Sequence, residues 1–112
     1  AQKNEMGEAE EHYKNAINLF PEKKTYLTLG TFYFSENNFE EAKNVLEKAL
    51  LYGSNDPMTR LLLGVTQYNL GNKQEALIDL RNSYFYFPNT TTLKILKAVE
   101  SGDNPTLKII IR

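Results

Sequence analysis

Tyr26-Leu27-Thr28-Leu29-Gly30 returns 34 positions later as Arg60-Leu61-Leu62-Leu63-Gly64, and each copy is followed twelve residues on by an alanine, Ala42 and Ala76. A fixed period of this size describes one helix–turn–helix unit stacked on copies of itself, because a single unit cannot bury its own apolar stripe. The glycines and alanines are small where two helices must approach closely.

Outward from these two copies, helical periodicity punctuated by Pro, Gly and Asn organises the chain as far as Gly102. Six helices are predicted, over 5–20, 23–36, 39–52, 58–70, 73–87 and 91–101. Pro21 and Pro88 stop the first and fifth, since proline lacks the N–H that would continue the ladder. Asn37-Asn38 and Gly71-Asn72 make equivalent turns, where Asn and Gly tolerate the left-handed conformation. Ser54, Asn55 and Asp56 offer caps ahead of Pro57, which suits a first helical position. Beyond Asp103-Asn104-Pro105 the pattern ceases, and 106–112 reads as extended because of the Ile109-Ile110-Ile111 run.

These residues resemble the tetratricopeptide repeat (TPR) family. Tyr26, Leu29, Gly30 and Tyr33 match its first-helix signature, and Ala42, Leu46 and Ala49 its second. Leu63, Gly64, Ala76 and Leu80 repeat the match, with Pro88 where a repeat closes; Ala9, Tyr13, Ala16 and Pro21 match a second helix lacking its first. The resemblance implies an all-α fold, a right-handed superhelix of antiparallel helix pairs. Its expected parts are a second helix of an incomplete repeat (1–22), two full repeats (23–56 and 57–90), a capping helix (91–102) and a non-repeat tail (103–112). Arg60 and Gln67 replace two aromatic positions and Ser83 replaces an alanine, which predicts looser packing inside the second full repeat.

Composition narrows the function classes. At 112 residues the chain is one domain by size, and its net charge of −1 with interspersed signs gives neither a basic field for nucleic acid nor a basic amphipathic helix for membranes. No apolar run approaches the roughly 18 residues of a membrane span. Cysteine is absent, which removes thiolate chemistry but leaves the compartment open. Ala1 in place of Met fits a chain excised from a longer array or cleaved after a secretory signal, so cytoplasmic and exported locations both stand. His12 is a lone histidine with no second or third ligand, the carboxylates lie on polar helix faces, and phosphate loops and nucleophile–base sets are missing. No catalytic residue, metal or cofactor is expected.

The expected function is protein–protein interaction. By the resemblance, the first helix of each pair lines a concave groove, which selects Leu27, Thr31 and Phe34 with their 34-residue echoes Leu61, Val65 and Tyr68, and Leu62 beside them. Such a groove suits an apolar or amphipathic segment of another protein. A basic clamp for a peptide carboxylate is not expected, since Thr28, Thr31 and Leu62 stand where such clamps carry Asn or cations. Phe85 and Phe87, in the four-aromatic run 84–87, either pack under the capping helix or the tail or form a secondary contact patch. Self-association through the N-terminal helix, whose Ala9 and Tyr13 face a missing neighbour, or through the tail is the alternative, as is an accessory domain of a larger protein.

Overall fold

The computed structural model describes residues 2–53 and 56–102, with side chains from Gly7 onward. Six helices follow in order: α1 (Gln2–Leu19), α2 (Lys23–Ser35), α3 (Phe39–Leu51), α4 (Pro57–Asn69), α5 (Lys73–Tyr86) and α6 (Thr90–Ser101). The fold is all-α and of the helical-repeat type, and each helix starts or stops within about three residues of its expected bound. Two compact units divide at residue 54, α1–α3 in the first and α4–α6 in the second. The tail expected over 103–112 lies outside the described residues. None of the described helices is long and apolar enough to cross a membrane.

In the first unit α2 and α3 form the tightest pair. Leu29, Tyr33, Ala42, Leu46 and Ala49 are buried between them. A Cβ on Gly30 would sit 2.6 Å from Leu46 Cδ2 and 2.8 Å from its Cγ, so the glycine exists to admit a leucine of the opposite helix. The turn between them places Asn37 in the left-handed region at φ 62°, and the Asn38 N–H returns to the Tyr33 carbonyl at 2.9 Å. The helix α1 is joined to α2 differently: the Tyr13 ring lies 5.3 Å from that of Phe32, and the Tyr33 hydroxyl donates to Glu10 at 2.5 Å. Tyr13 therefore meets α2 and is half-buried against it. The exposed apolar surface of this segment is Leu19 and Phe20, at 73% and 64%.

The second unit repeats the scheme with a third helix added. Gly64 admits Leu80, whose Cγ would be 2.7 Å from an added Cβ, and the Ala76 carbonyl oxygen would be 3.3 Å away. The turn is the same as in the first unit, with Gly71 at φ 88° in place of Asn37 and the Asn72 N–H on the Gln67 carbonyl at 2.8 Å. Burial of Thr92, Ile95, Leu96 and Val99 makes α6 amphipathic, with Lys94 and Lys97 outward. Arg81 on α5 reaches Glu100 on α6 at 3.4 Å.

The expectation of looser packing in the second pair is overturned. Where the first pair has Tyr26 and Val45, the second has Arg60 and Asp79, and these form an ion pair at 2.8 Å across α4 and α5. Ser83, in the place of Ala49, donates its hydroxyl to the Pro57 carbonyl at 2.7 Å. Gln67, in the place of Tyr33, accepts from Asn72 Nδ2 at 2.8 Å. Aromatic contact has been exchanged for hydrogen bonds at these three positions, each of which acquires a partner, while Thr66, in the place of Phe32, buries a hydroxyl without one.

Candidate interaction surfaces

An apolar concavity lies on α2 in the first unit, and another at the start of α4 in the second. In the first unit, Tyr13 of α1 and Leu27, Thr28, Thr31, Phe32 and Ser35 of α2 enclose a shallow cleft of about 460 Å³. Its hydroxyls are turned away from any visitor: Thr28 Oγ1 donates to the Lys24 carbonyl at 2.8 Å, Thr31 Oγ1 to Leu27 at 2.8 Å and Ser35 Oγ to Phe32 at 2.7 Å. Back-bonding of this kind satisfies the donor within the helix and leaves the threonine methyl groups as surface. The cleft is thus more apolar than its composition suggests.

The second concavity, about 510 Å³, lies where α4 and α6 begin and α5 ends. Pro57, Met58 and Leu61 come from α4, Phe87 follows α5, and Thr91 and Thr92 come from α6. The local sequence builds this wall through its caps. Asp56 accepts from the Thr59 backbone at 2.9 Å and from the Thr59 hydroxyl at 2.5 Å, starting α4. Asn89 accepts from the Thr92 N–H at 2.8 Å, starting α6, and its amide donates to the Phe87 carbonyl at 2.8 Å. Asp56 and Asn89 are engaged in holding the helix ends together, and Met58, 53% exposed, and Phe87, 60% exposed, give the pocket its apolar character.

The sequence-derived residues divide unevenly between these surfaces. Leu27 and Thr31 line the first cleft and Leu61 the second. Leu62 and Tyr68 are half-buried and line neither. Phe34 is only 8% exposed, with its ring edge-on to Phe39 at 5.8 Å: the Asn37 turn folds α3 back over the end of α2 and takes this side chain into the pair. Val65 is 0% exposed, because the whole turn 63–67 of α4 is enclosed whichever face is considered. Neither Phe34 nor Val65 is available at the surface. Of the aromatic run, Phe85 is 74% exposed and stacks edge-on with Tyr86 at 5.1 Å, and Phe87 borders the second pocket. Packing beneath the capping helix, one of the two expectations for Phe85, is not what α6 does. Tyr13 was expected on an open face of the N-terminal helix, whereas Phe32, Met58 and Thr91 were not read from the sequence as surface residues.

Electrostatics at the α1–α2 contact are local. The hydrogen bond donated by the Tyr33 hydroxyl, then the hydrogen bond and charge of the Lys14 ammonium, hold Glu10 below the usual carboxylate value of 4.5. Burial, reinforced by the Glu10 carboxylate, raises Tyr33 above the ordinary value of 10.0. Neither group faces a concavity described above. His12 is exposed and lies edge-on to Tyr13 at 5.9 Å; among the described residues no three of His, Asp and Glu lie close enough together to hold a metal ion.

Helical hairpins that repeat along the chain define a helical-repeat protein of the TPR type, a class of protein–protein interaction modules. The family model described as anaphase-promoting complex, cyclosome, subunit 3, a TPR-like repeat family, matches residues 2–83, and the chain belongs to that family. No curated protein matches the chain.

Proposed function

We propose that the chain is a non-enzymatic adaptor that holds an apolar or amphipathic segment of another protein in the concavity on α2 of the first unit or in the one at the start of α4 of the second. The observation that carries this reading is the chemistry of the two concavities. The Thr28, Thr31 and Ser35 hydroxyls, Asp56 and Asn89 are engaged in helix backbones and caps, so the apolar offer is made by Leu27, the Thr31 methyl, Phe32, Met58, Leu61 and Phe87. Such surfaces favour ligands that are themselves apolar along one face. Membership of the family described as subunit 3 of the anaphase-promoting complex supports a role as one member of a larger protein assembly.

Selection from a random dodecapeptide display library tests the proposal. Peptides with apolar residues spaced three or four apart, or alternating, are expected to be enriched. Burying one anchor side chain contributes about 1.5–3 kcal/mol before ordering costs, so Leu61→Asp is expected to weaken such a peptide at least tenfold with an unchanged helical spectrum. Enrichment of uniformly polar or charged peptides, or binding indifferent to both Leu27→Asp and Leu61→Asp, would refute it.

A further inference from the structure

The pocket at the start of α4 and α6 has an occupant within reach in its own chain. Gly102 ends α6 in the left-handed conformation at φ 86°, a geometry that terminates the helix and lets the chain reverse. The helix itself is 12 residues long, about 18 Å at roughly 1.5 Å per residue. Ile109 is the seventh residue after Gly102 and Ile111 the ninth, so extended chain at about 3.3 Å per residue carries them roughly 23–30 Å. A tail returning along α6 brings these isoleucines to its beginning, where the pocket lies.

The chemistry of the segment fits the pocket as well as its length does. In an extended chain Leu107, Ile109 and Ile111 share one side, and Lys108 and Arg112 take the other with Ile110. One side is wholly apolar, matching Met58, Leu61 and Phe87, while the cations are left to solvent.

We propose that Ile109 and Ile111 seat in the Met58–Leu61–Phe87 pocket, making the C-terminal segment an internal ligand that any outside peptide must displace. Being tethered, the segment acts at the high effective concentration of a short linker. The inference rests on the apolar reading of this pocket alone, and its test is intramolecular. Failure to select an outside peptide leaves it standing, and its own failure leaves peptide binding standing.

The absence of cysteine makes the test clean, because two introduced cysteines have no competitor. The full chain carrying Met58→Cys and Ile109→Cys is compared, under mild oxidation, with one carrying Lys97→Cys and Ile109→Cys. Both helix positions are exposed, so neither change enters the core, and circular dichroism confirms folding. Lys97 lies near the root of the tail, so a tail with no seat closes onto it first. The proposal expects the Met58 pair to close at least tenfold faster than the Lys97 pair, within one chain, at a rate unchanged over a hundredfold dilution. Equal or faster closure at Lys97, or no closure at Met58, overturns it. A Met58 cross-link between two chains that disappears on dilution also overturns it, and would assign the pocket to a second copy.

Discussion

Replacing Gly64 by alanine adds one methyl group to a helix and, in isolation, should stabilise it by about 1 kcal/mol. The structure reverses the sign. The new Cβ would lie 2.7 Å from Leu80 Cγ, 2.9 Å from its Cδ2 and 3.3 Å from the Ala76 carbonyl oxygen, against the 3.5–4.0 Å at which carbon atoms rest comfortably. Roughly 1 Å of retreat is needed. Leu80 is 0% exposed and has no space to move into, and the Ala76 carbonyl is backbone. Overpacking of this kind costs about 1–3 kcal/mol, so the net change is a loss of up to about 2 kcal/mol. Gly7→Ala in α1 is the matched control, since nothing lies within 4 Å of its added Cβ and the helical gain stands alone. Urea titrations followed at 222 nm should show Gly7→Ala at or above the parent midpoint. Gly64→Ala should fall below it by about 0.5–1 M for an m-value of about 2 kcal/mol/M. Combining Gly64→Ala with Leu80→Ala should cost less than the two separately, because the clash is then gone. If Gly64→Ala rises in parallel with Gly7→Ala, the close approach of α4 and α5 is wrong.

The Arg60–Asp79 pair across α4 and α5 provides a second check, because Asp79 has a side chain only 8% exposed. Arg60→Ala is expected to lower stability by about 2–3 kcal/mol, whereas Arg60→Tyr with Asp79→Val, which installs the residues of the first pair, should recover most of the loss in thermal melts. Glu10 and Tyr33 predict a pH signature for the α1 attachment. Glu10 is lowered in the folded chain, so its contribution is present above the ordinary value of 4.5 and lost as pH falls through and below it. Tyr33 is raised, so its contribution is present below 10.0 and lost as pH rises beyond it. Hydrogen exchange of α1 amides, corrected for intrinsic rates, should therefore show least protection at the two extremes, and Tyr33→Phe should flatten both limbs.

Much of the architecture was legible because it follows from short-range rules. Pro21 and Pro88 remove a donor, Asn37 and Gly71 accept a left-handed turn, and the Gly30–Gly64 echo declares which faces come together. The surface was less legible for a geometric reason. Phe34 and Val65 belong to the same periodic stripe as Leu27 and Leu61, yet both are buried, because periodicity specifies direction around a helix and not depth along it. What closes over the end of α2 is the turn to Phe39, and no spacing within α2 reports it.

The polar exchanges were the hardest to foresee. Arg60, Gln67 and Ser83 look one by one like defects in a repeat, and their compensation becomes visible only when Asp79, Asn72 and the Pro57 carbonyl are brought within 2.8 Å of them. The sequence by itself determined an all-α chain of helical hairpins and the bounds of its helices, because helix stops, turns and a 34-residue period are written in neighbouring residues. The tertiary structure decided which apolar side chains remain at the surface and which polar ones find partners. Both depend on atoms contributed by another helix, at distances that no single segment encodes.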